Sequence, residues 1–353
     1  MAYTDIDKPT DYFETILYTG NGSSLEVNGL DFSPDWVWIK KRSNAANHMM
    51  YDTVRGIKKH LHTNTADIEV SEASDDIGLN SFDSDGFTVK VNGNTNTNTH
   101  TFASWNWLTG TSFSNDASST SVGSIDSAGS VNTTAGFSII GYTGDAQTGT
   151  TIAHGLGVKP NMIILKNREP DTANWQVYHS SLGATHYVQL NSTGAATDSN
   201  TRWNDVEPTS TVFTTGSSGD VCGDSSGETF IAYCFAEKQG YSKIGSYTGN
   251  GNANGPFVHT GFKPSFVMVK ASSTTGNWTM FDNKRSPFNF VDNHLYANTS
   301  AAEQTASAGY IDFLSNGFKK TDTFNNASGQ TYIYMAFAES PFVTSTGIPT
   351  TAR

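Results

Sequence analysis

The sequence predicts an all-β protein built of three tandem β-sandwich repeats, jelly-roll-like in outline. Three observations predict it. The chain carries 33 Gly, only 15% charged and 36% hydrophobic residues, with Thr, Ser and Asn filling the difference. Average globular chains hold roughly 25% and 45–50%, and the mix found here favours strands and turns over helices. Short continuous apolar runs of strand length recur, Trp36-Val37-Trp38-Ile39, Met162-Ile163-Ile164-Leu165 and Phe266-Val267-Met268-Val269, while no stretch shows a sustained helical stripe with caps. Finally, several separate blocks return three times in the same order, which is the mark of a repeat architecture.

Each repeat opens on a strand ending in a tight turn: Tyr18-Thr19-Gly20-Asn21, then Tyr142-Thr143-Gly144-Asp145, then Tyr247-Thr248-Gly249-Asn250. The apolar run follows, preceded by a proline and closed by a lysine six residues on: Pro34 and Lys40, Pro160 and Lys166, Pro264 and Lys270. Proline suits the first position of a strand, where its missing N–H is tolerated. Next come Asn174-Trp175 and Asn277-Trp278, with His48 to Asp52 as the first copy's counterpart. A short strand-like piece then ends in Asn64, Asn191 or Asn298. An aromatic strand closes each copy: Phe102 to Trp105, Phe230 to Ala236, Tyr332 to Ala338. Asp85-Gly86, Asn92-Gly93 and Asn316-Gly317 mark turns between strands. The repeats therefore run over 13–110, 136–239 and 240–343, flanked by an N-terminal arm (1–12) and a C-terminal tail (344–353). Residues 111–135, rich in Ser, Gly and Ala, read as a flexible linker. The second and third copies join with almost no spacer and are expected to pack rigidly, the first being freer to move.

Charge narrows the partners. An excess of 33 acidic over 21 basic residues, net −12, argues against nucleic acid, which needs a basic face, and against anionic membranes. No apolar run approaches the roughly 18 residues of a membrane helix, and Met1 to Thr10 lack the apolar stretch of a signal peptide. Cys222 and Cys234 are too few for a disulfide framework or a four-ligand zinc site.

Apparent catalytic motifs are weak. Gly223-Asp224-Ser225-Ser226-Gly227 spells a nucleophile elbow, yet a strand follows it by pattern where the elbow needs a helix. Asp83-Ser84-Asp85-Gly86 begins like a calcium loop, but Asn94 stands where the bidentate Glu belongs. His60 and His62 share a face without a third ligand in sight and read as a solvated face. Asp75-Asp76 could supply paired carboxylates, although triplication argues against one catalytic centre. No cofactor, metal or catalytic residue is assigned. Trp175 and Trp278 read as core. Trp203, beside Arg202 and Asp205 in a polar stretch, is the candidate surface contact, since an exposed indole stacks on a sugar ring and offers an N–H.

The Tyr-Thr-Gly-Asn opening, the Gly-to-Pro-to-Lys strand and the closing aromatic strand resemble a tandem β-rich domain of unknown function found in structural, tail fibre-like proteins of marine tailed bacteriophages. The start, MAYTDIDKPTDYFETILYTGNG, resembles the start of such proteins. The resemblance covers about residues 1–343 and carries no assigned catalysis. It implies a virion structural protein, not an enzyme, made in the host cytoplasm and placed on the tail in preference to the capsid. Repetition makes multivalent surfaces whose avidity raises weak binding, so the role expected is a fibre or receptor-binding protein attaching to a host surface polysaccharide. Its implied partners are other virion proteins and further copies of itself, a trimer being usual for such fibres. A capsid decoration or vertex protein is the alternative, and a polysaccharide-degrading enzyme the second alternative.

Overall fold

A computed structural model describes residues 3–74, 76–169, 172–306 and 310–350. The fold is all-β, with both strand pairing and burial following from the apolar runs. Three large antiparallel sheets share one strand order. The first is Phe13–Thr19, Thr101–Trp107, Trp36–Lys41, Met49–Asp52. The second repeats it with Phe137–Thr143, Thr229–Phe235, Met162–Asn167, Gln176–His179, and the third with Ser242–Thr248, Thr331–Pro341, Phe262–Ala271, Thr279–Asp282. In each, the closing aromatic strand lies between the opening strand and the lysine-ended strand. A smaller sheet or hairpin covers one face of each, completing a sandwich. Val37 and Ile39 meet Val27 and Phe87; Ile163 and Leu165 meet Ile152 and Phe213; Val267 and Val269 meet Val258 and Phe318.

The opposite faces of the three large sheets meet one another in a single central core. Trp36, Trp38, Trp105 and Trp107 come from the first sheet, Met162, Ile164, Tyr233 and Phe235 from the second, Phe266, Met268, Met335 and Phe337 from the third. Trp36 stacks on Tyr233 at 4.5 Å between ring centroids, and Phe235 and Phe337 meet edge-on at 6.1 Å. A strand buried on both faces needs apolar side chains at odd and even positions alike, which explains runs without alternation. The first sheet is therefore not freer than the others: four of its tryptophans lie in the common core.

Repeated polar residues lock the sheets into a closed ring. Each strand-ending lysine is fully buried and donates across to the neighbouring sheet's loop: Lys40 to the carbonyl of Ser300 at 3.1 Å, Lys166 to Ala66 at 3.2 Å, Lys270 to Thr193 at 3.0 Å. Each acceptor stands two residues past the repeated asparagine. Trp175 Nε1 donates to the carbonyl of His62 at 2.8 Å and Trp278 Nε1 to Gln189 at 2.9 Å. His48 takes the indole's place, its Nε2 lying 3.0 Å from the carbonyl of Tyr296 while its Nδ1 accepts from Trp38. The asparagines explain their own recurrence. Asn64, Asn191 and Asn298 each donate to a second asparagine, Asn47, Asn174 or Asn277, at 2.8 Å. Their Oδ1 atoms accept the backbone N–H of His48, Trp175 and Trp278.

Residues 111–135 are not a flexible linker. Thr111–Asn115 and Ser127–Asn132 add two strands to the second large sheet beside Phe137–Thr143, and Asp116 caps a helical turn, Ala117–Thr120, between them. Backbone pairing holds this edge, and its solvent face accounts for the polar composition. Gly129 is required there, because a Cβ would run into the carbonyl of Ile139. The described part of the N-terminal arm is also sewn down: Ile6 is buried, the Tyr3 hydroxyl donates to the Gly261 carbonyl at 2.6 Å, and Asp7 accepts the N–H of Ser345 at 2.6 Å. Met1, Ala2 and residues 351–353 of the arm and tail lie outside the described residues.

Candidate functional site

The structure does not make a surface patch of the predicted trio. Trp203 is 1% exposed, at the end of the short helix Asn200–Trp203, and packs edge-on against Tyr178 at 5.9 Å. The Ser199 cap fixes that turn so that the indole points inward while its polar neighbours face out. Arg202 is committed as well, lying over the Tyr187 ring at 4.7 Å and paired with Asp220 at 3.1 Å. Asp205 alone is exposed. The reading of Trp203 as an exposed contact is therefore corrected: polar sequence neighbours do not expose a residue whose backbone turns it into the core.

The other motifs settle into structural roles. His60 is buried, not on a solvated face; its ring lies 5.1 Å from that of His62 and its Nδ1 lies 3.2 Å from Glu72. Burial pushes its pKa down to about 3. Ser225 donates to Glu228 at 3.2 Å, and the strand Thr229–Phe235 follows directly. Asp83 accepts the Thr88 hydroxyl at 2.8 Å across a hairpin. Asp76 is exposed, and Asp75 lies outside the described residues. A wide cavity of about 640 Å³ is bordered by Asp116 and Asp126, but both carboxylates cap the adjoining helical turn.

The structure points instead to the segment Ser286 to Phe290 of the third sheet. It leaves the strand Thr279–Asp282 through a buried ion pair, Arg285 Nε to Asp282 Oδ2 at 2.6 Å. Ser286 donates to Asp292 at 2.8 Å, and the Asn289 amide both donates to the Phe313 carbonyl and accepts the Phe313 N–H at 3.0 Å. On this clamped segment Phe288 is 79% and Phe290 56% exposed. Leaving a phenylalanine in water forgoes about 1.5–3 kcal/mol of burial. The matching places of the other sheets hold Gly56-Ile57 and Gly183-Ala184, with no aromatic pair.

Of the three cavities that Phe288 borders, two also reach Lys263 and Glu339. One, of about 520 Å³, is also lined by Lys263, Asn283, Phe313, Asn316 and Glu339. The other, of about 370 Å³, includes Thr10, Glu14, Lys263, Lys284 and Glu339. Their charges are paired off: Lys263 with Glu339 at 2.8 Å, Lys284 with Glu14 at 2.9 Å, while Asn283 donates to the second Glu339 oxygen at 2.9 Å. Sequence reading passed over this site, whose signal was Pro287-Phe288-Asn289-Phe290, two aromatics in a turn with no strand alternation.

Compared with known families, residues 8–341 match the family described as Domain of unknown function (DUF7483). The chain belongs to that family. No curated protein and no solved structure matches it.

Proposed function

We propose that this DUF7483 chain is a bacteriophage virion structural protein made of three tandem β-sandwich repeats, working on the tail as a fibre or receptor-binding protein that attaches to a host surface glycan. The virion reading rests on the resemblance of its repeat to phage structural proteins. The observation that carries the attachment role is Phe288, 79% exposed on a segment clamped at both ends and flanked by clefts. A ring carried on a clamped backbone has only its side-chain rotation to lose on stacking, which lowers the cost of binding. Other virion proteins and further copies of the chain are its proposed partners. Labelling intact particles with a specific antibody and imaging them tests the role. Label at the tail agrees with it, and no label on any particle overturns it.

A capsid decoration protein is the second reading, favoured by the closed ring of three like sheets, a shape suited to a three-fold position of a shell. Label spread over the head would select it.

A further inference from the structure

We propose that the cleft astride Phe288 binds an uncharged sugar, the ring stacked on Phe288 and its hydroxyls met by Asn283, Asn316, Thr10 and the paired Lys263 and Glu339. The inference rests on the glycan-attachment reading and gives it a place and a ligand class. Four observations carry it. The two cavities, about 520 and 370 Å³, fall within the roughly 300–1,000 Å³ of small-ligand pockets. They share Phe288, whose face is free for the C–H face of a pyranose. Beside the apolar Phe13, Pro287, Val291, Phe313 and Leu314, the walls carry amides, hydroxyls and ion pairs, which suit a ring with an apolar face and hydroxyls at its rim. Most decisive is the charge. Lys263 and Lys284 are each held by a carboxylate at 2.8–2.9 Å. An acidic sugar or a phosphate would meet the carboxylate already held against each lysine, as a cation would meet the lysine held against Glu14 or Glu339. The polar part of the walls is neutral overall, and so is the ligand that complements it.

Titration calorimetry on the full chain tests this with cellotetraose, maltotetraose and mannotetraose as neutral probes, and 3′-sialyllactose and tetragalacturonate as acidic ones. At least one neutral probe is expected to bind. Phe288→Ala is expected to weaken it at least tenfold and Phe288→Trp to keep it. The position is exposed, so neither change threatens the fold, and circular dichroism checks this. Failure of all three neutral probes overturns the inference. So does tighter binding of an acidic probe, or equal binding by Phe288→Ala. Concentration-dependent dimers abolished by Phe288→Ala would make the cleft an interface between copies and overturn it too. The two readings fail separately. Tail label and cell binding unaffected by Phe288→Ala would leave attachment standing and sink the cleft. Sugar binding at Phe288 by a protein absent from particles would do the reverse.

Discussion

Lys320 sits inside the third sandwich where the first has Val89, and both are fully buried. Among the described residues its ammonium has no hydrogen-bond partner, and it faces the rings of Phe281 at 5.3 Å and Phe324 at 6.0 Å. Burial pushes its pKa down to about 7. The folded state therefore lacks a proton that the unfolded lysine, with an ordinary value near 10.4, still holds. Between those values the unfolded state binds more protons, so stability rises with pH, by up to about 1.4 kcal/mol per unit from this group, and is flat in its contribution below pH 7. Lys40, Lys166 and Lys270, each pushed down to about 8 by burial, add slope of the same sign. Lys320→Met, which keeps the length and removes the charge, is expected to raise stability at pH 7 and reduce the slope between pH 7 and 10. Urea unfolding at several pH values checks it, and an unchanged slope would mean that the ammonium is solvated. At this scale the sequence was a poor guide in one direction. The repeated lysine was visible, but whether a lysine or Trp203 is inside depends on the backbone's turn and not on its neighbours in the chain.

Legibility improves at the scale of elements, and its limits have a physical cause. The central runs 36–39, 162–165 and 266–269 were plain because they are buried on both faces and carry no polar position. The turns were plain because Asn-Gly and Asp-Gly suit few other conformations. The added strands Thr111–Asn115 and Ser127–Asn132 were hidden: one face meets solvent, and backbone pairing, which any side chain permits, supplies most of their cohesion. The cleft at Phe288 was hidden because its walls come from distant segments. Gly129 separates a linker from a strand by experiment. In a linker, Gly129→Val would be neutral. Here the new Cβ meets the Ile139 carbonyl, so the change is expected to cost about 1–3 kcal/mol, as overpacking does. Chemical denaturation measures this, and a shift below about 0.5 kcal/mol would remove the strand.

Across the whole molecule, the ring closes through three contacts, two alike and one different in kind, and the differences are correlated. Between the first and second sheets, Arg55 pairs with Asp52 at 2.6 Å and Glu69 at 3.3 Å, Arg168 pairs with Glu69 at 2.6 Å, and the Tyr233 hydroxyl donates to Asp52 at 2.7 Å. Between the third and first, Arg285, Asp282, Glu303, Arg42 and Trp105 repeat the set. Between the second and third, every member changes together, to Leu182, His179, Ala196, Ser272 and Met335. His179 Nε2 then donates to the Tyr334 carbonyl at 3.2 Å, and burial pushes its pKa down to about 4, keeping it neutral. The backbone contact is the same in all three, Glu69, Glu303 and Ala196 each donating an N–H to the neighbouring sheet. The ionic set is thus a unit that can be present or absent as a whole. Breaking one member leaves buried charge uncompensated and costs about 3–5 kcal/mol, whereas replacing a whole buried ionic cluster by well-packed groups is often neutral. Glu69→Ala alone is accordingly expected to destabilise the protein strongly. Combining it with Asp52→His, Arg55→Leu, Arg168→Ser and Tyr233→Met, with the Ala232 carbonyl as the new histidine's acceptor, is expected to recover most of the loss. Unfolding in guanidinium, read by tryptophan fluorescence, compares the two. Both should melt in one transition, since the three sheets share one core. A five-fold variant less stable than the single one, or a first sheet that melts apart from the rest, would show that the contacts are independent and not alternative ways of closing one ring.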